Sequence, residues 1–181
     1  MSSSVLVPIA DGTEEMEAVI LVDVLRRASI RVVVAGLNSL TITASRGVRL
    51  TADALWADAR HQAFDAVALP GGAQGAASML ADRSMLELVR EYHAAGKLVA
   101  AICAAPLVLQ AAGILEGRRV TCHPAVRAQL RSGEYRPEPV VADGNLLTSQ
   151  GPGTAMVFAL AIVARLAGTA QAEAVASGMV L

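Results

Sequence analysis

The segment that decides the fold class is Lys97–Gln110, with the sequence KLVAAICAAPLVLQ. A short apolar run, Leu98–Ile102, stops at Cys103, and two alanines, a proline and a second apolar series follow. We interpret the first run as a strand buried in a parallel sheet and the second as a helix. The strand is expected to end abruptly at Cys103, and the helix is expected to begin around Ala104.

A cysteine at such a strand-to-helix turn points to nucleophilic chemistry. Its sulfur lies near the first N–H groups of a helix, and these donors, with the helix dipole, favour thiolate over thiol. The same strand–turn–helix geometry presents the nucleophile of many hydrolases. The alternative is a buried structural cysteine, because free cysteines are among the most buried residues. Both interpretations of Cys103 are open at this point.

The remaining sequence alternates predicted strands with predicted helices, which indicates a parallel sheet covered on both faces. We predict an α/β fold, a doubly wound and mainly parallel sheet with a β-hairpin inserted, in a single domain over residues 1–181. The strands before Cys103 are predicted at 4–9, 31–37 and 64–70, the hairpin at 40–50, and the helices at 14–29 and 82–95. After Cys103 we predict strands at 119–121, 140–142 and 145–149, and helices at 124–131, 153–166 and 171–177.

Composition excludes several classes of function. The chain has 181 residues, a formal net charge of −1 and no basic cluster, so nucleic acid is not indicated as a partner. The N-terminal segment MSSSVLVPIADG lacks the features of a signal peptide, and two cysteines make no disulfide framework. The uncharged runs 98–115 and 144–164 are interrupted by proline, glycine and amides, so we expect core segments without a membrane span, in a cytoplasmic protein.

Three loops are expected to meet where ligands bind, beyond the carboxyl ends of the strands. One carries Glu14, Glu15 and Glu17 on the opening turn of the first helix, and the second is Pro70–Gly72. The third is the Cys103 turn. A buried carboxyl group beside sulfur could donate a hydrogen bond to a thiolate, and an ionised one could act as a general base. These patterns do not decide which glutamate has that role.

Backbone donors and one histidine complete the candidate site. The N–H groups of Gly72 and Ala104 could form an oxyanion hole. His123, in the segment VTCHP, is the candidate base for a Cys–His pair, although it could equally be a loop histidine. Cys122 and His123 alone are too few for a metal site, and the acidic cluster near the N-terminus matches no calcium loop. We therefore expect no metal and no cofactor.

Four motifs of the chain resemble, in order and spacing, those of the ThiJ/PfpI superfamily. They are DGTEEMEAVILVDVLRRA (11–28), ALPGG (68–72), AAICAAPLVL (100–109) and LLTSQGPGTAMVFALAIV (146–163). The chain looks most like the branch of the human parkinsonism-associated protein and the bacterial YajL proteins. The resemblance implies a flavodoxin-like fold, similar to class I glutamine amidotransferases, and a homodimer.

The resemblance also implies roles for individual residues. Cys103 matches the family's oxidisable nucleophile, and Glu17 matches the carboxylic acid that hydrogen-bonds it. Gly72 and Ala104 match the backbone donors, and His123 matches a nearby histidine. The site is lined by Gly71, and by Arg46 and Pro152 partly across the dimer interface. A departure is also informative: Ala104 stands where protease-like members carry histidine, so a Cys–His peptidase is not expected.

Two functions follow from the resemblance, and a third is weaker. The first is a cysteine-dependent protein deglycase or cofactor-independent glyoxalase, acting on methylglyoxal or its early adducts on proteins. The second is a redox sensor with a chaperone-like role, in which Cys103 is oxidised to sulfinic acid in response to oxidative stress. The third is a hydrolase of amides or esters. The same residues serve the first two functions, so the sequence does not separate them.

Overall fold

Strands and helices alternate along most of the chain, and the computed structural model describes residues 3–181. The first two residues of the N-terminal segment, judged above for a signal peptide, lie outside the described residues. The strands are β1 (Ser4–Ile9), β2 (Arg31–Gly36), β3 (Thr41–Thr43), β4 (Arg49–Thr51), β5 (Ala54–Leu55), β6 (Ala66–Leu69), β7 (Leu98–Ile102), β8 (Arg119–Val120), β9 (Glu134–Tyr135), β10 (Val140–Asp143) and β11 (Leu146–Ser149). The α-helices are α1 (Glu15–Arg27), α2 (Trp56–Ala59), α3 (Ala73–Ala81), α4 (Arg83–Ala94), α5 (Pro106–Ala111), α6 (Ala155–Ala167) and α7 (Thr169–Gly178). Two 3₁₀ helices cover Pro124–Gln129 and Pro152–Thr154.

The central sheet has seven strands in the order β10-β11-β7-β6-β1-β2-β5. All neighbouring pairs are parallel except β10 and β11, which pair antiparallel at one edge. β1, β6 and β7 are buried along their whole length. This explains their uniformly apolar sequences, because a parallel strand covered by helices has no solvent-facing side.

The sheet separates two apolar cores. One lies under α1, α6 and α7 and includes Leu21, Phe158 and Ile162. The other lies under α4 and α5 on the opposite face and includes Met85 and Leu109. Small side chains fill much of the middle of the sheet, since Ala66, Ala68, Ala100 and Ala101 are fully buried. The helices can therefore pack close to β6 and β7, whose ends carry the candidate site.

The predicted fold class is confirmed: the sheet is mainly parallel, with helices on both faces. The hairpin predicted at 40–50 is confirmed as β3 and β4, and the strand pair after residue 139 as β10 and β11. The sequence analysis missed α3, and it placed the start of α5 too early. That helix begins at Pro106, because residues 103–105 form the turn itself.

Membrane insertion was judged above from two uncharged runs. Among the helices of residues 3–181, none combines the length and the apolar character that crossing a bilayer requires. The two runs are divided instead between strands and short helices.

Candidate active site

Four parallel strands end at one edge of the sheet, and the loops that follow them build the candidate site. The loop after β1 leads into α1, and Pro70–Gly72 follows β6. Cys103 follows β7, and Gln150–Thr154 follows β11. Because neighbouring parallel strands end together, segments far apart in sequence become adjacent there.

The backbone at Cys103 adopts a left-handed conformation, with φ of 66°. Its N–H donates to the carbonyl of Ser149 at 3.0 Å, and its carbonyl accepts from the N–H of His123 at 2.8 Å. Non-glycine residues rarely adopt this conformation, and where they do it is a mark of functional sites. The two hydrogen bonds therefore hold a strained residue between β11 and the segment after β8.

Three groups contact the Cys103 sulfur. The N–H groups of Gly72 and Ala104 both donate to it, and the side chain of Glu17 is hydrogen-bonded to it. Cys103 as a residue is only partly buried. The two donors come from different loops, one after β6 and one after β7, and not from a single helix terminus. The structure thus brings together four of the predicted site residues.

The Glu17 carboxyl group is inaccessible to solvent. Its Oε2 accepts the N–H of Gly71 at 2.7 Å, and Oε1 has no hydrogen-bond partner within residues 3–181. Burial raises the pKa of Glu17 to about 7, against the opposing effect of the hydrogen bonds from Gly71 and Cys103. Glu17 can therefore hold or release a proton at neutral pH.

Burial also raises the pKa of Cys103, and the negative charge of ionised Glu17 raises it further. The Gly72 and Ala104 N–H groups act in the opposite direction. The backbone donors therefore lower the thiol pKa as expected, but burial and the neighbouring carboxylate outweigh them, so the net shift of the thiol pKa is upward. The two acids compete for one negative charge, and the thiolate is favoured when Glu17 carries the proton.

Glycine is required at two positions of the loop after β6. A Cβ on Gly71 would lie 2.6 Å from the Cβ of Cys103 and 2.9 Å from Oε2 of Glu17. Gly72 has φ of 90°, and a Cβ there would lie 2.2 Å from the Gly12 carbonyl oxygen. Their lack of a side chain lets the loop approach the thiol and the carboxyl group closely enough to bond both.

His123 contacts the Cys103 turn through its backbone. Its Nδ1 accepts the N–H of Ala125 at 3.1 Å, so in the neutral ring Nε2 carries the proton. Within residues 3–181 no hydrogen bond links the imidazole to the thiol. Together with Pro152, the ring lines a shallow cavity of about 190 Å³ beside the site. A direct Cys–His pair is therefore not formed in this conformation.

Arg46 lies outside this constellation. It is exposed in the turn between β3 and β4, and within residues 3–181 its guanidinium makes one hydrogen bond, to the Ser45 carbonyl at 3.4 Å. The turn itself is fixed to α1, because Glu15 accepts hydrogen bonds from the Ser45 hydroxyl at 2.8 Å and from the Arg46 N–H at 2.9 Å. Ser45 also donates its N–H to the Thr13 carbonyl. Glu15, one of the three glutamates that the sequence could not distinguish, therefore fixes the hairpin turn to α1.

Cys122 lies in the apolar core under α4 and α5. Cys122 is fully buried, and burial raises its pKa. Across residues 3–181, no three side chains of histidine, cysteine, aspartate or glutamate converge as metal ligands would.

Sequence reasoning missed the role of Glu14, whose carboxylate caps α1 by accepting the Glu17 N–H at 2.8 Å. An acidic residue three positions before Glu17 was the available signal.

Comparison with known proteins now identifies the family. Residues 3–165 match the model of the DJ-1/PfpI family. Protein dj-1beta of Drosophila melanogaster is 44% identical over 184 residues, covering 100% of this chain and 98% of the relative. Protein DJ-1 homolog B of Arabidopsis thaliana is 45% identical over 91% of this chain, which spans only 38% of that longer protein.

A nematode relative and a crystal structure extend the comparison. The Caenorhabditis elegans relative named glutathione-independent glyoxalase DJR-1.2 is 38% identical, over 92% of this chain and 89% of its own length. The crystal structure of Drosophila DJ-1beta superposes with a TM-score of 0.97 and covers 100% of this chain and 99% of that one. Sequence and structure agree over the length of the chain, and the chain belongs to the DJ-1/PfpI family.

Proposed function

We propose that the protein is a cysteine-dependent glyoxalase or protein deglycase that acts on methylglyoxal or its early adducts. The observation that carries this proposal is the Cys103 sulfur, bonded by two backbone N–H groups and by a buried carboxyl group with a pKa of about 7. A relative that is 38% identical and carries the name glutathione-independent glyoxalase supports the substrate class.

The first step transfers the thiol proton to Glu17, and the resulting thiolate attacks the aldehyde carbon. The new C–S bond makes a hemithioacetal, whose oxygen receives hydrogen bonds from the Gly72 and Ala104 N–H groups. A buried carboxyl group with a pKa near neutrality is suited to this exchange, because it accepts and returns a proton at comparable free energy.

The second step is an internal isomerisation. A base removes the proton from the former aldehyde carbon, and a proton returns to the neighbouring ketone carbon. The two carbons thereby exchange oxidation states without an external oxidant. Water then hydrolyses the thioester, which releases lactate and the Cys103 thiol. Glu17 is proposed for these proton transfers, and the Nε2–H of His123 for a hydrogen bond to the second substrate oxygen.

Methylglyoxal consumption and lactate formation test the proposal directly. We expect wild type and Cys122→Ser to produce lactate at similar rates, and Cys103→Ser to produce none. Glu17→Gln should lower turnover by about a hundredfold, the size of effect typical of a lost general acid–base group. Absence of lactate with the wild-type protein would contradict the proposed activity.

The redox-sensor hypothesis has one observation in its favour. The two N–H donors and the carboxyl group that surround the sulfur could equally bind the oxygens of a sulfinic acid. The variant Glu17→Gln separates the two functions. If Glu17 transfers protons in a glyoxalase reaction, the variant should lose most of its turnover. Oxidation of Cys103 by peroxide, measured by mass spectrometry, should merely be slower. Equal loss of both would argue against a proton-transfer role for Glu17.

We also propose that the protein is a homodimer. Met16 and Val19, on α1, expose about half of their surface, and Val48 does so in the adjacent hairpin turn. This apolar face borders the turn that carries Arg46, so a second copy could bring that residue to a site. Val19→Asp should shift the molar mass measured by light scattering to that of a monomer. Leu80→Asp, an exposed leucine on α3, is the control and should leave the mass unchanged.

The cellular location is the last part of the proposal. Both cysteines are free thiols, which is typical of a reducing compartment. We therefore propose a cytoplasmic location.

A further inference from the structure

Three hydrogen bonds form a closed ring at the start of α1. The Glu14 N–H donates to the Gly71 carbonyl at 3.0 Å, and the Gly71 N–H donates to Oε2 of Glu17 at 2.7 Å. The Glu17 N–H in turn donates to Oε2 of Glu14 at 2.8 Å. The ring therefore joins the helix that carries the catalytic carboxyl group to the loop that carries the Gly72 donor.

We propose that Glu14 is a positioning residue of the Cys103–Glu17 pair, which sets the Glu17 carboxyl group against the thiol and keeps the shared proton on Glu17. Glu14 acts through Glu17 and Gly71, since it has no contact with the sulfur. The inference deepens the proposed function, on which it rests for its catalytic meaning. The effect of Glu14 on the ionisation of the Cys103 thiol can be measured without any substrate.

Geometry supports this role at two points. Gly71 leaves no space for displacement, because an added Cβ would lie within 3 Å of Cys103, of the Ile102 carbonyl and of Glu17. The Glu17 carboxyl group that the ring holds through Oε2 is also the group that is hydrogen-bonded to the Cys103 thiol. Fixing Oε2 through the ring therefore holds the carboxyl group against Cys103, and a loosened ring would disturb both contacts together.

The charges around Glu17 act in the same direction. The titratable groups that act on its carboxyl group are the Cys103 thiol, from the turn after β7, and the Glu14 carboxylate, from the start of α1. The Gly71 loop contributes an N–H and no charged side chain. The negative charge of Glu14 raises the pKa of Glu17, in addition to the larger effect of burial. Without that charge, Glu17 gives up its proton more readily, and the thiol keeps its own.

The experiment measures the rate constant of Cys103 alkylation by iodoacetamide from about pH 5 to about pH 9, which spans the range in which the pair titrates. Glu14→Gln keeps an acceptor for the Glu17 N–H but removes the charge, and Glu14→Ala opens the ring. The matched control is Asp82→Asn. Asp82 caps α4 in the same way, accepting the Met85 N–H at 3.0 Å, and it lies outside the residues that build the site.

We expect alkylation at neutral pH to slow by about threefold in Glu14→Gln and by about tenfold in Glu14→Ala, which correspond to half a pKa unit and one unit. Asp82→Asn should alkylate at the wild-type rate even though it loses thermal stability. Wild-type alkylation in Glu14→Gln would overturn the inference, and so would equal slowing in Asp82→Asn. If the wild type forms no lactate while Glu14→Gln slows alkylation, the inference stands and the proposed function alone fails.

Discussion

The two cysteines occupy adjacent segments of the molecule and have opposite surroundings. Cys103 sits in the turn after β7, partly exposed, with two N–H donors and a carboxyl group on its sulfur. Cys122 lies just after β8, fully buried in the apolar core under α4 and α5. The two segments are joined by the hydrogen bond from the His123 N–H to the Cys103 carbonyl. The comparison shows that two residues of the same type in one chain can differ completely in exposure and in the polar groups around the sulfur.

The largest expected effect is selective labelling of one thiol in the native protein. Iodoacetamide should modify Cys103 about a thousandfold faster than Cys122, because the latter becomes accessible only when the core opens. Mass spectrometry should find one label on the wild type and on Cys122→Ser, and none on Cys103→Ser over the same period. Labelling of both cysteines in the native wild type would contradict the expected difference in reactivity between Cys103 and Cys122.

The second prediction isolates the close approach of the loop after β6. Gly72→Ala should lower the free energy of unfolding by about 4 kcal/mol, since the new Cβ adds a steric clash to an unfavourable backbone conformation. The control is Gly168→Ala, because Gly168 has φ of 91° but open space around it. It should lose about 2 kcal/mol through the backbone alone. Urea denaturation measures both, and equal losses would show that the contact with the Gly12 carbonyl is unimportant.

The third prediction concerns the pH dependence that the buried Glu17 gives to stability. Its pKa is about 7 in the folded protein and 4.5 for an unperturbed side chain, so between these values the native state binds a proton that the unfolded state has lost. The contribution of Glu17 to the free energy of unfolding should therefore be most favourable below its pKa in the unfolded chain. It should decrease as the pH rises through 7, by at most about 3 kcal/mol in total. Glu17→Gln should lack this decline. Parallel curves for wild type and variant would show that folding does not raise the pKa of Glu17.

Prediction from sequence succeeded where a pattern is local. Buried strands such as β1, β6 and β7 consist almost entirely of apolar residues. The residues Ser45–Gly47 indicate the turn between β3 and β4. It failed for α3, AQGAASMLA, which begins after Gly72 without a side-chain cap and whose small residues give little periodicity. The family resemblance selected Glu17 from three glutamates that the sequence pattern alone could not distinguish.

The electrostatics of the site were harder to predict for a physical reason. The Ala104 N–H group is a local feature of the Cys103 turn, whereas the burial of Glu17 is created by the loop after β6 and by the turn after β7. Burial changes the sign of the net effect on the thiol pKa. The net shift of the thiol pKa depends on contacts between segments that are distant in sequence, so the spacing of residues along the chain does not predict it.

The left-handed backbone at Cys103 has a consequence for how this protein can change. A side chain in that conformation costs about 1 to 3 kcal/mol, which glycine would avoid. A chain selected only for thermal resistance would therefore tend to replace this residue with glycine and lose its thiol. Under the proposed function, the stability lost at this single residue is exchanged for a thiol placed at the active site.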